Sequence, residues 1–410
     1  MNAFREGTYA SPGARLTYSE VYAHGDARDP LPEDCSPTIH RGEGNKDVLV
    51  RAYDEDVPRS KRVFLVKTDD PDRAYELTGK ASKMLDHHGE GWGSIEFALI
   101  LPRDRSGEAG DGDGVPKFKS PDPEQAVFVA IKKLSKVVIR NYLAMGGREN
   151  PYIEISRMQE IGDDVHVLSC IEALEDDDYL YIVTPYCPDG SLADNITWFV
   201  KGYPENEAQA LFKNILEILF YLECHGINHH DIAPDNFLFL NGRLLLFDFA
   251  MSRKVPREEG GHRYLMKPQG WYGTYACQAP ELYFNKAPFD GIATDLWSAA
   301  MTLYSLLTGQ IMYRMPHPTD IGFRYFILAR GLKPGFTEQL VEVLESAFRP
   351  GNRDEQGNLM KVAMANMKIP PDALELLLNL LVLKPEERWT LMDAASCSWV
   401  QKNMAKRRLE

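Results

Sequence analysis

The stretch HHDIAPDNFLFLNGRLLLFDFA, His229–Ala250, decides how this chain is read. Two apolar runs, FLFL and RLLLF, flank Asn241-Gly242, and Asp231, Asn236 and Asp248 stand at the outer ends. Asn-Gly between two such runs is a strong hairpin signal, because both turn positions take positive φ. A two-residue turn sets Leu240 opposite Arg243, and therefore Asn236 opposite Phe247. Asp248 then lies beside Asn236 at the strand ends. An amide oxygen and a carboxylate brought together in this way suit a hard divalent cation such as Mg²⁺. Asp231, on the incoming loop, is within reach as a proton acceptor. Turn and cap roles around a surface hairpin are the structural alternative. Zinc on His225, His229 and His230 is a further one, but no HExxH glutamate accompanies them and Gly226 interrupts the helix.

The chain has 410 residues, 44% of them apolar, so a sizeable core can form. Its 60 acids outnumber 46 bases, for a net charge of −14. That balance argues against a general nucleic-acid or anionic-membrane binder. Cysteines at 35, 170, 187, 224, 277 and 397 form no CxxC pair, which points to reduced thiols. No window is apolar enough to insert in a membrane, and the amino terminus lacks an apolar targeting core. The expectation is an intracellular, cytoplasmic protein.

Residues 1 to about 60 read as an irregular extension. RVFLVK (62–67), IEFALIL (95–101), AVFVAIKKL (126–134), VHVLSCI (165–171) and YLYIVTPY (179–186) read as strands. The polar stretch 102–124 reads as a solvated loop. Beyond about 190 the period becomes helical. ENEAQALFKNILEILFYLEC is closed by Gly226, and TDLWSAAMTLYSLLT runs from Thr294 as N-cap to Gly309. That second helix is apolar on nearly every side, which predicts burial all round. ALELLLNLLVL (373–383) is a third helix.

HHDIAPDN resembles the HRDLxxxN catalytic loop of eukaryotic protein kinases, and DFA resembles their DFG. HGEGWGSIEFA (88–98) resembles the glycine-rich loop, with Gly89, Gly91 and Gly93. VAIK places Lys132 on the third strand, and GTYACQAPE (273–281) resembles the end of an activation segment. DLWS (295–298) and KPEERWT (384–390) complete the order, so the resemblance spans roughly residues 82 to 402.

The resemblance implies an α+β, bilobal fold, with a small β-rich lobe at 81–187 and a larger helical lobe at 188–403. An extension at 1–80 and a tail at 404–410 flank them. It implies ATP and Mg²⁺ as cofactors and a protein substrate, and leaves the oligomeric state open. Asp231, Lys132 and Glu154 take the catalytic roles. Gly89, Gly91, Gly93, Ala130, Lys132, Thr184, Tyr186, Cys187 and Leu238 contact the nucleotide, and Asn236 and Asp248 hold the metal. Adjacent Lys132 and Lys133 point to opposite faces of their strand, and the VAIK match selects Lys132 as the inward one. Asn150 caps and Pro151 opens the helix carrying Glu154. Glu281 and Arg388 form a buried ion pair, and Asp295 braces the catalytic loop.

Four features depart from the family. The glycine loop is one residue shorter than GxGxxG. His230 replaces the Arg of HRD, which weakens control by loop phosphorylation. Ala233 stands where Ser/Thr kinases carry a Lys, removing a cation whose loss is worth about 3–4 kcal/mol by analogy with an oxyanion donor. Arg253 and Lys254 are candidate substitutes. Ala250 replaces the DFG glycine, which restricts flipping of Phe249. The implied function is ATP- and Mg-dependent phosphoryl transfer to Ser/Thr of a protein; the alternative is a nucleotide-binding pseudokinase acting as a scaffold.

Overall fold

A computed structural model describes residues 37–44, 49–51, 63–67, 72–85, 91–104, 117–119, 121–162, 164–255, 263–267, 272–329 and 369–402. They fall into two compact units that divide between Asp189 and Gly190.

The first unit is built on strands β1 (His40–Gly44), β2 (Leu49–Arg51), β3 (Val63–Lys67), β4 (Arg73–Leu85), β5 (Gly91–Pro102), β6 (Lys117–Lys119), β7 (Phe128–Ser135), β8 (Glu172–Glu175) and β9 (Tyr179–Pro185). Seven of them close into a barrel in the order β1-β3-β4-β5-β7-β9-β8. The closing pair, β1 with β8, is parallel and sets His40 against Leu174. Alternation along β7 sends Val129 and Ile131 into one cluster with Leu65, Tyr75, Ala98, Leu174 and Val183. Leu134 goes to the opposite face, with Ile155, Ala173, Leu180 and Ile182. On that face pack helices α1 (Lys136–Ala144) and α2 (Pro151–Ile161). As expected, the Asn150 side chain caps α2 by accepting from Tyr152 N–H at 3.0 Å, and Pro151 opens it.

Three expectations change here. The chain before residue 60 is not uniformly irregular, because β1 and β2 belong to sheets. The stretch 102–124 is not all solvated loop: β6 pairs in parallel with β2, and Phe118 is fully buried with Ala74 and Leu101. Residues 165–171 form no strand. Ile171 N–H donates to the Val183 carbonyl of β9 at 2.8 Å, but regular pairing with β9 starts only at Glu172.

The second unit is mainly helical. Helix α3 (Glu205–Cys224) packs against α5 (Gly291–Thr308). Strand β10 (Ile227–Asn228) follows α3, then the hairpin β11 (Phe237–Leu240) and β12 (Arg243–Leu246), then β13 (Arg253–Lys254), which pairs with β10. Helix α4 (Pro280–Phe284), α6 (Ile321–Ala329) and the helix Pro371–Leu380 complete the frame. Helix α5 is buried on nearly every side, as its composition predicts. Its N-cap is Asp290, not Thr294: the Asp290 carboxylate accepts from Ile292 N–H at 3.0 Å, one turn earlier than expected. Gly309, at φ 66°, ends it. No helix among the described residues is long and apolar enough to cross a membrane.

Candidate active site

The Asn241-Gly242 turn forms with the expected register, Leu240 opposite Arg243 and Phe237 opposite Leu246. Its two residues have φ 52° and 74°, the left-handed values that an Asn-Gly turn supplies. Phe247 N–H donates to the Asn236 carbonyl at 3.1 Å, so the pairing reaches the strand ends. Asn236 turns its side-chain amide to Asp231, donating to both the main-chain carbonyl and Oδ2 at 2.8 Å. Both bonds use Nδ2, which leaves the amide oxygen as an acceptor. Asp248 adopts φ 62° and ψ 69°, and its charge adds to the forces that raise the Asp231 pKa. Asp231, Asn236 and Asp248 therefore share one neighbourhood.

Asp231 is held from two sides. Thr274 N–H donates to Oδ1 at 2.7 Å while Asn236 holds Oδ2. Burial pushes its pKa up, and the bond from Thr274 pulls it back. Gly273 makes this approach feasible: at φ 57°, a Cβ there would meet the His230 carbonyl at 2.4 Å and Asp231 Oδ1 at 2.8 Å. Met251 Sδ accepts from Gly273 N–H at 2.8 Å. The GT pair of GTYACQAPE was visible in sequence, but nothing local there announces that its backbone caps a carboxylate.

The loop is braced from below by Asp295, as expected. Its carboxylate accepts from His229 N–H at 2.6 Å and His230 N–H at 2.9 Å. His229 Nε2 meets the Phe247 carbonyl at 3.0 Å, and its ring stands edge-on to Phe249. Glu281 and Arg388 form the expected pair, with both guanidinium NH groups on the carboxylate at 2.8 and 3.2 Å. Arg388 also lies 4.9 Å from the Trp297 ring centre.

In the first unit, Lys132 Nζ meets Glu154 Oε2 at 2.8 Å, and both side chains are largely buried. Lys133 takes the other face, 3.7 Å from Glu96 and over the Tyr179 ring. Ile95 lies opposite Lys132 in the register, a same-face neighbour that motif reading passed over. Ala130 is paired with Phe97 and Thr184 on its two sides. Tyr186 stacks edge-on against Phe97, and burial pushes the Cys187 thiol up to about 11. Leu238, in the second unit, bridges Ser191. Gly89 lies outside the described residues. Gly91 opens β5, while Gly93 is required by close packing: a Cβ would meet the Lys133 carbonyl at 2.1 Å. Trp92 between them is buried against Tyr142.

A model of the protein kinase domain matches residues 106–400. The chain belongs to the protein kinase family. Calcium-dependent protein kinase 8 of Arabidopsis thaliana is 31% identical over 216 residues, 52% of this chain and 38% of that protein. The serine/threonine-protein kinase CHK1 of Saccharomyces cerevisiae is 32% identical over 165 residues, 40% of this chain and 30% of its own length. Sperm motility kinase 2B of Mus musculus is 29% identical over 166 residues, 40% of this chain and 32% of that protein. The chain thus spans about a third of the length of these kinases. The matched span begins after β5, so the glycine hairpin lies ahead of it.

The kinase departures have distinct structural settings. His230 is buried against Tyr272 and Phe289, at ring distances of 4.4 and 5.8 Å, with neither ring nitrogen hydrogen-bonded. Burial and the nearby Arg253 hold its pKa well below the ordinary imidazole value, so the ring is neutral. A neutral, enclosed imidazole offers a phosphate no cationic grip. Ala233 is fully buried. Of the candidate substitutes for the missing cation, Lys254 reaches the His225 carbonyl at 3.2 Å and Arg253 lies over the Tyr272 ring. Ala250 sits inside a short 3-10 turn, Phe249–Met251, which an alanine adopts freely, and Phe249 is fully buried.

The donor set suits the divalent ion this family uses. An amide oxygen and an aspartate are hard ligands, few in number, as expected where phosphate oxygens supply the rest.

Proposed function

We propose that this kinase transfers the γ-phosphoryl group of ATP to a protein hydroxyl, preferentially Ser or Thr. The observation that carries the reading is the fixed Asp231 carboxylate, bonded by Thr274 N–H and Asn236 beside Asp248. In this role Asp231 orients the substrate hydroxyl and accepts its proton. Its raised pKa makes it a better acceptor than an ordinary carboxylate. Asn236 and Asp248 would hold Mg²⁺, which neutralises charge on the phosphate oxygens. Lys132, fixed by Glu154, pairs with the phosphates. By the family resemblance, Gly89, Gly91 and Gly93 would cover the phosphates, and Ala130, Thr184, Tyr186, Cys187 and Leu238 would contact the purine. The Ser/Thr preference rests on Thr274 and on the similarity to the serine/threonine-protein kinase CHK1.

One observation favours a second reading, a nucleotide-binding scaffold. Ala233 is buried and uncharged, the two candidate substitutes are engaged elsewhere, Lys254 at the His225 carbonyl and Arg253 over the Tyr272 ring, and both Asp231 oxygens already accept hydrogen bonds. Purified chain mixed with labelled ATP and Mg²⁺ separates the two. Incorporation into protein Ser or Thr that disappears in Asp231→Asn supports the enzyme. Thermal stabilisation by Mg-ATP with no incorporation on any substrate supports the scaffold.

A further inference from the structure

The Lys132–Glu154 ion pair depends on where α2 stands, and α2 is gripped by a piece of chain that lies before the kinase match. Thr38 is the anchor. Its N–H donates to Gln159 Oε1 at 2.8 Å, and its carbonyl accepts from Gln159 Nε2 at 2.8 Å. Both main-chain groups of one residue are thus satisfied by a single amide side chain on α2. The next residue, Ile39, packs on the cluster that contains Ile155 of α2. From there the chain enters β1, which is fixed on both sides: by β8 in parallel and by β3 antiparallel. Leu174 packs so closely on β1 that a Cβ at Gly42 would meet it at 3.0 Å. Arg41 adds an exposed ion pair to Asp177.

Gln159 sits on the same helix as Glu154, five positions later, about 7.5 Å along the axis. Gly162, at φ 70°, ends the helix immediately afterwards. A rigid helix tied at its carboxy-terminal turn to a closed barrel cannot swing outward without breaking two hydrogen bonds and uncovering Ile39. We propose that Thr38–Gly44 is a built-in clamp on α2, and that Gln159 is the positioning residue through which it holds Glu154 against Lys132. The inference rests on the reading of Lys132 and Glu154 as parts of a phosphoryl-transfer site. It assigns a task to the amino-terminal extension: this chain carries its own support for the helix.

The test uses the 410-residue chain and a basic protein substrate. Gln159→Met keeps the side chain's bulk and removes both bonds; Thr38→Pro removes one donor without touching α2. The expected result is a fall in kcat of about tenfold for Gln159→Met, with KM for the protein substrate unchanged. Amide exchange across 151–161 should accelerate while β5 and β7 stay protected. In the Glu154→Gln background, Gln159→Met should add almost nothing, because both act through one contact. Unchanged kcat and unchanged exchange in both variants would overturn the clamp, as would a full additive loss in the double variant. If Gln159→Met does not fold, Thr38→Pro decides by the same readouts. If the wild-type chain transfers no phosphate, the proposed function fails, and exchange across 151–161 still decides whether the clamp exists.

Discussion

His230 shows how much one side chain's setting matters. An exposed histidine in its place would gain charge near neutral pH and meet a phosphate. Enclosed by Tyr272 and Phe289, it remains neutral in the folded chain. The unfolded chain protonates it below about pH 6.5, so the unfolded state binds the extra proton and folded stability falls as pH drops. His230→Phe cannot lose stability this way. Between pH 7 and pH 5 the stability difference should move by about 2 kcal/mol in the variant's favour, read from urea unfolding at the two pH values. Arg388 is the opposite case, a buried charge with every donor used. Its NH groups meet Glu281, Ala293 O and Val382 O at 2.7–3.2 Å. Arg388→Ala leaves the Glu281 carboxylate without its cation, and should cost about 3–5 kcal/mol in the same assay.

At the scale of elements, two glycines with similar φ have different work. Gly242, at φ 74°, has nothing within 4 Å of a Cβ position. Gly242→Ala should cost about 1 kcal/mol of stability through backbone strain alone, leaving the activity of the folded protein intact. Gly273, at φ 57°, has the His230 carbonyl and Asp231 in the way. Gly273→Ala should lower kcat by at least about tenfold and cost more stability than Gly242→Ala, because its Cβ collides with the His230 carbonyl and displaces the proposed proton acceptor. Measuring Tm and kcat together on both variants checks the contrast. The turn at 241–242 was legible because a two-residue reversal leaves only one register open. The cap on Asp231 was not, because it joins residues 43 positions apart through a backbone N–H that carries no sequence signature.

At the scale of the whole chain, the additions before the kinase match alter the sheet. Strands β1 and β3 pair with β8 and β4, so the barrel has no open edge there. A chain beginning at Asp72 would uncover both edges and the cluster around Leu174. It should melt at least about 5 °C lower and shift toward aggregates in size-exclusion chromatography. Neither β1 nor β2 was legible. HRGEG and LVR are short, carry little alternation, and pair with segments far along the chain. The apolar run 165–171 erred the other way: it has a strand's composition, but regular pairing with β9 starts only at Glu172.

Local chemistry was enough to determine the hairpin, the Asn150 cap, the buried α5 and the motif order that carries the family, because each depends on residues within a turn or two of one another. Tertiary structure alone decided that His230 is sealed and neutral, that Thr274 N–H holds Asp231, and that Thr38 grips Gln159. Those outcomes depend on desolvation and on backbone groups meeting across tens of residues, and neither leaves a trace in residue type or spacing.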